Sequence, residues 1–389
     1  MMNTKKPLLL VPVLFLLVIF ILPTIWFISF SFVDREVARA FPGTLKLLER
    51  WEPGNMLPAD AYPVLAKDLA KANKAGYLAD AARRLNYEMP GVRSALISAA
   101  REIEEEDTAR NGEEYFTQIS PMLSGPDLFH ALKNAGGPVT SHYFLASFDL
   151  VKDAAGKVVS VSEENKLYVD VMLRTLSISS TVTLCCLLLG FPVASLMART
   201  SGRWFDLLLI CIMIPFWTSM LVRISAWTVI LQNKGIVNSI LMQLGLITEP
   251  IAMMYNRAGV LVVMTHVLLP FMILPLYSVL RSIPPQYMSA AASLGANPFV
   301  AFQRVYLPLS IPGMVAGSAM VFILSIGYYI TPALVGGGGD QMISTYIATF
   351  TTGTGNWGMA SALGFVTLLA VLVLQLLAGR LSRNRAQPN

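Results

Sequence analysis

Charged side chains are scarce in this 389-residue chain, at 14%, whereas 54% of its residues are hydrophobic. With a mean hydropathy of +0.58, too little charge remains to cover a water-soluble surface, and the chain reads as a membrane protein. Cysteine is nearly missing. Cys185, Cys186 and Cys211 all fall in apolar runs, which speaks against a disulfide framework or a Cys-ligated metal site. The three histidines, His130, His142 and His266, are scattered with none at metal-ligand spacing, so no metal is expected. No Gly-x-Ser-x-Gly elbow and no His-Glu-x-x-His helix occurs, which leaves an enzyme reading little support. Gly336 to Gly339 invites a phosphate-loop reading, but Asp340, Gln341 and Met342 follow where Lys and then Ser or Thr are required. The run reads instead as a flexible outer hinge.

What is present is a set of long apolar runs. A spanning helix needs about 20 apolar residues, and Pro7 to Val33, Thr175 to Ala198, Ala258 to Leu280, Val305 to Gly339 and Met359 to Ala378 supply them. Phe205 to Leu231, apolar except for Asp206 and Arg223, is the remaining span. Six spans put both termini on one side. Lys5 and Lys6, Arg199 and Arg203, Arg281 and Arg304, and Arg380, Arg383 and Arg385 all fall on that side, which the positive-inside bias makes the cytoplasm. Between Val33 and Lys166 there are 16 Lys/Arg against 20 Asp/Glu, a net −4, which leaves 13 against 4, a net +9, for the rest. The excess base therefore flanks the membrane and is no nucleic-acid patch.

The organisation expected is an all-α membrane protein of three parts. Residues 1–32 form a cytoplasmic tip and the first membrane helix, 33–168 an extracytoplasmic insert, and 169–389 the membrane core with helices two to six. Within the insert, Tyr62 to Asn86 and Pro90 to Asp107 carry apolar residues at helical spacing. Ala154-Ala155-Gly156-Lys157 reads as a turn before the strand-like KVVSVS. The insert is either a mostly helical lid or docking domain, or an insertion that is merely tolerated.

The most informative segment is the inner loop of residues 281–308, within RSIPPQYMSAAASLGANPFVAFQRVYLPLSIP. Pro285 suits a first helical turn, Gln286 to Leu294 forms a helix, and Gly295 ends it through a left-handed cap. Asn297-Pro298 then turns the chain into a second short helix with Phe299, Phe302 and Val305 or Tyr306 on one stripe. The small side chains allow a partner's surface to approach closely, while the aromatic stripe anchors the loop on its own spans. The competing reading is an amphipathic connector lying on lipid headgroups.

The order of Ser289, Ala290, Ala291, Gly295, Leu307 and Pro308 resembles the EAA loop of ABC importer permeases, and SLGANPFVAFQRVYLPLSIPG is most similar to their spermidine/putrescine branch. LRTLSISSTVTLCCLLLGFPVASLMAR (Leu173 to Arg199), IPFWTSMLVRISAW (Ile214 to Trp227) and NKGIVNSILMQLGLI (Asn233 to Ile247) are similar to the same branch. Ser289 stands where that family usually has Glu, and the insert is much longer than the family norm. The resemblance implies the six-span type I importer fold in a bacterial inner membrane, paired with a second permease subunit or a second copy. It implies a cytoplasmic ATPase dimer that receives the loop, and an extracytoplasmic solute-binding protein that delivers polyamine or a similar small organic solute. It also implies that ATP and Mg are used by the ATPase, with no cofactor bound by this chain.

Substrate-pathway candidates are Arg223, Trp217, Trp227 and Tyr328. The arginine is either a pathway residue or an anchor at the outer end of its span, and the rings either meet cations or form an interfacial belt. A stand-alone secondary transporter or channel is the alternative of a different class. Against it, the spans lack an intramembrane Asp/Glu/His relay and broken-helix repeats. A membrane scaffold that moves nothing is a third reading.

Overall fold

The computed structural model describes residues 5–52, 54–103, 112–152 and 157–386. Ala154, Ala155 and Gly156 of the expected turn, and the end of the helix expected to reach Asp107, lie outside them. Two compact units divide the chain, Met1–Lys166 with Gly355–Phe365, and Leu167–Thr354 with Val366–Asn389.

In the first unit the chain runs as one helical path through Lys5–Leu16, a π turn at Leu17–Ile21, and Leu22–Ser29. The π turn has a local cause. Leu22 N–H reaches Leu17 O, because the following Pro23 has no amide hydrogen with which to continue the ordinary ladder. None of Val11–Ser29 is buried. The stretch of helical spacing from Tyr62 to Asn86 holds two helices, Ala61–Lys74 and Leu78–Glu88. They are split where Gly76 takes a left-handed backbone with φ +78°, a conformation that costs other residues energy. Val92–Glu102 follows the Pro90-Gly91 punctuation, and Val158–Ser160 within KVVSVS pairs antiparallel with Leu150–Lys152. Phe41, Leu65, Leu85, Leu96 and Phe129 are fully buried among these helices.

One charge lies at the centre of that unit. The Arg84 side chain is wholly buried, with Nε 2.5 Å from Asp34 Oδ2 and Nη2 donating to Glu88 Oε1 at 3.0 Å. Glu88 in turn lies 3.1 Å from His142 Nδ1. Burial works to raise the Glu88 carboxyl, but the hydrogen bond and charge of His142, aided by Arg84, outweigh it and hold the group down at about 2. The last membrane helix, Trp357–Ala386, begins in this unit. Its Ser361 Oγ donates to Phe27 O at 2.6 Å and lies 2.8 Å from Ser31 Oγ.

In the second unit, Tyr168–Arg199, Arg257–Ser282 and Leu307–Ile326 pack as a bundle around Ile178, Val182, Met264, Leu268, Met272 and Leu276. Glycine makes the crossings close. A Cβ on Gly317 would sit 3.0 Å from the Met272 carbonyl oxygen and 2.7 Å from its sulfur, and one on Gly313 would sit 2.9 Å from Val279 Cβ. Across the described residues, five helices are long and apolar enough to cross a membrane, and a bent pair makes the sixth if it crosses as one span.

That bent pair corrects the sequence reading. Phe205 to Leu231 is no single rod but Arg203–Trp217 and Met220–Leu231, and Arg203–Trp217 meets the arm Met220–Gln243, which contains the second helix, at 101°. Pro215 withdraws an amide from the last turn, and Thr218 and Ser219 are extended at the corner. The fifth span also differs from Val305 to Gly339. It runs from Pro298 to Ile326 without interruption, so the second arm of the elbow is the start of a membrane helix and not a separate short one. The first half of the glycine run is not a free hinge, although Gly338 and Gly339 have open space around them. A Cβ on Gly336 would meet Pro332 O at 2.6 Å, and one on Gly337 would meet Tyr255 O at 2.6 Å. Asp340 then closes the run with an ion pair to Arg257 Nε at 3.2 Å.

Candidate functional site

The elbow begins after Arg281, whose Nη1 donates to Ala198 O at 2.8 Å. Gln286–Ser293 forms the first helix and buries none of its residues. Ser289 and Ala290 are exposed and Ala291 half-buried. The helix ends in a Schellman motif, in which Ala296 N–H donates to Ala291 O at 3.0 Å and Gly295 N–H to Ala292 O at 2.9 Å. Gly295 carries φ +85° with open space around its Cα, so glycine is favoured there by backbone conformation alone. Asn297 Oδ1 then accepts from Val300 N–H at 2.8 Å and caps the next helix.

Leu307 and Pro308 open the regular α-helical part of the long span, Leu307–Ile326. Pro308 offers no amide to the ordinary ladder, and the turn before it opens into a π helix, Phe302–Tyr306, with Leu307 N–H bonded to Phe302 O. The widened turn sets Phe302 and Tyr306 against Phe191, at ring distances of 6.1 and 6.3 Å. Two of the stripe's aromatics therefore anchor the loop on its own bundle. Phe299 does not, being 66% exposed, and Leu294 is 89% exposed. Beneath the elbow lies a cavity of about 640 Å³ bounded by Arg199, Arg281, Pro285, Met288 and Tyr306, with the Arg199 guanidinium 5.2 Å from the centre of the Tyr306 ring. Arg199 and Arg281 lie outside the loop motif, and their signal in the sequence is the basic clusters at the ends of the spans, whereas Tyr306 belongs to the aromatic stripe.

The pathway candidates divide. Trp217 ends the first arm of the bent pair and is exposed, outside the cluster on which Trp227 and Tyr328 pack. Arg223, Trp227 and Tyr328 gather near His266. Trp227 Nε1 donates to His266 Nδ1 at 3.1 Å, Trp227 and Tyr328 pack on the cluster of Ile224, Val263, Val267 and Val335, and Arg223 is within electrostatic reach of both His266 and Tyr328. Arg223 Nε is buried with no hydrogen-bond partner among the described residues. His266 is the member that its isolated position in the sequence concealed.

A bundle of helices long and apolar enough to cross a membrane, carrying an exposed helical elbow at its basic end, defines the class as a multi-span membrane protein. The chain belongs to the family described as binding-protein-dependent transport system inner membrane component, which it matches over residues 190–387. It is similar to the spermidine/putrescine transport system permease protein PotB of Haemophilus influenzae, at 37% identity over 211 residues that cover 54% of this chain and 74% of that one. PotB of Escherichia coli is 35% identical with coverage of 54% and 76%. The inner membrane ABC transporter permease protein YdcU of Escherichia coli is 37% identical with coverage of 52% and 68%. Among solved structures, a chain of the bacterial alginate ABC transporter in complex with alginate pentasaccharide-bound periplasmic protein has a TM-score of 0.47 at 18% identity, covering 57% of this chain and 80% of that one. The chain is thus an inner-membrane ABC importer permease, a family of transport components and not of enzymes.

Proposed function

We propose that this chain forms the translocation pathway of an ATP-driven importer for polyamines such as spermidine and putrescine, or a similar small organic solute, handed over by an extracytoplasmic binding protein. The observation that carries the coupling is the elbow. Its first helix buries nothing, and Tyr287, Leu294 and Phe299 are all exposed, an apolar face that suits a protein partner. A cytoplasmic ATPase dimer, which uses the ATP and Mg, receives Ser289, Ala290, Ala291 and Gly295 in a surface groove. Leu307 and Pro308 continue the elbow into a membrane helix, so a push on the elbow is passed straight to the bundle. The pathway biases a two-state element by differential binding, as coupling requires.

The basic ends of the spans support a cytoplasmic elbow and cytoplasmic termini, with the insert outside. A second permease subunit or a second copy completes the pathway, lined by Arg223, Trp227 and Tyr328, with Trp217 facing that partner or lipid. The cargo class is supported by the names of the PotB relatives. The test is uptake of labelled spermidine into proteoliposomes that hold the complete complex. Uptake that needs ATP and the binding protein supports the reading. Uptake that persists without ATP and collapses with an ion gradient overturns it, and ATP-dependent uptake of a different solute overturns the cargo alone.

A further inference from the structure

We infer that a cavity of about 540 Å³ in the first unit is a binding site for the headgroup of an aminophospholipid, with phosphate held by Arg35 and Arg39 and the ammonium held by Glu36 among aromatic rings. Its position follows from the helices that frame it. Trp26 and Phe30 come from the last turns of the first membrane helix, and Trp357 is the first residue of the last one. Tryptophan at the ends of membrane helices marks the headgroup layer. Trp26 is 67% and Trp357 52% exposed, so the cavity opens beside side chains that acyl chains would cover.

The inner wall is neither apolar nor of one charge. Asp34 is committed to Arg84, and Asp80 to Arg83, whose Nη2 lies 2.9 Å from Asp80 Oδ1 and 3.6 Å from Glu36 Oε1. The rest is incompletely matched. Arg35 and Arg39 have no carboxylate partner among the described residues, and Arg39 instead lies over the Tyr77 ring at 3.6 Å while donating to its hydroxyl at 2.6 Å. Guanidinium groups without a carboxylate partner bind phosphate well. Glu36 faces the opposite shortage. Burial, reinforced by the nearby Asp34 charge, raises its carboxyl to about 7, against the pull of Arg83, and a cation donating N–H bonds would relieve it. Tyr87 lines the same wall beside Tyr77 and Tyr143, whose rings already carry Arg39 and Arg84, and an aromatic ring attracts a cation. A phosphate and a primary amine a few bonds apart meet both shortages, and a quaternary amine could not donate to Glu36.

The test uses the complete transporter, purified in mild detergent and placed in nanodiscs of equal phosphatidylethanolamine, phosphatidylcholine and phosphatidylglycerol, with retained lipid read by mass spectrometry. Several-fold enrichment of phosphatidylethanolamine over both others is the expected result, and Glu36→Gln and Arg39→Ala should each reduce it severalfold. Equal retention of phosphatidylglycerol would overturn the amine contact, and no enrichment in the unaltered complex would overturn the site without recourse to any variant. Free phosphoethanolamine is the second arm. If it binds the delipidated complex by calorimetry while no lipid is enriched, the ligand is a soluble zwitterion and the membrane source is wrong. If spermidine alone binds there, the headgroup assignment also falls.

Discussion

Arg281 donates from Nη1 to the carbonyl oxygen of Ala198 at 2.8 Å, tying the residue that leads into the elbow to the last turn of Tyr168–Arg199. The bond satisfies a carbonyl that the helix end leaves without an internal donor, and it braces the elbow from one side while Tyr306 braces it from the other. Arg281→Ala removes one charge-assisted bond at a partly solvated position, about 1 kcal/mol or about fivefold in an equilibrium. Uptake in the reconstituted complex should fall by that order with membrane insertion unchanged. Uptake equal to that of the unaltered protein would show that the brace transmits nothing.

The turn of the elbow makes a sharper test. Gly295 has φ +85° and a Cβ there would touch nothing, so any loss on substitution is backbone strain and not collision. A β-branched residue in a left-handed conformation costs about 1–2 kcal/mol or more, whereas Asn tolerates it better. Gly295→Val should uncouple ATP hydrolysis from uptake in a complex that still assembles, and Gly295→Asn should retain most uptake. Equal loss from both would point to a need for a bare backbone at the docking face.

The elbow was legible because its residues are local punctuation. Pro285, Gly295 and Asn297-Pro298 each act within a turn, and the structure places a helix start, a left-handed cap and an N-cap at those positions. The bent span was not, because a count of apolar residues from Phe205 to Leu231 has no memory of direction. Pro215 and the Thr218-Ser219 pair held the only signal. At Pro308, which lies inside the span expected from Val305, the π turn at Phe302–Tyr306 absorbs the missing amide and the helix continues to Ile326. The Asp34, Arg84, Glu88 and His142 network joins residues more than a hundred positions apart, and no spacing rule reaches that far.

A buried hydrogen bond in the second unit offers a stability measurement independent of transport. Thr175 Oγ1 donates to Val171 O at 2.7 Å and accepts from Ile343 N–H at 2.8 Å, and the residue is fully buried. Thr175→Val keeps the shape and leaves the Ile343 amide without its acceptor, at about 1–3 kcal/mol. The melting temperature of the purified protein should drop, and Thr175→Ser should recover most of the loss. A Val variant as stable as the parent would mean that the amide finds another acceptor.

Two carboxyls of the first unit should give its stability opposite pH dependences. Glu88 is held at about 2 in the folded protein, below its ordinary 4.5. The stability it contributes is present above 4.5 and is lost as pH falls from there towards 2. Glu36 is raised to about 7 from the same ordinary value. Its contribution is therefore present below 4.5 and is lost as pH rises through 7, discounted because its side chain is 39% exposed and partly screened by water. Thermal unfolding followed by tryptophan fluorescence should accordingly weaken on both sides of about pH 5. Glu36→Gln should flatten the alkaline side and leave the acid side in place, and Glu88→Gln should lower stability near neutral pH while flattening the acid side. An alkaline limb that survives Glu36→Gln unchanged would mean that this carboxyl is solvated well enough to ionise freely, and that the wall it shares with Arg39 is wetter than its burial indicates.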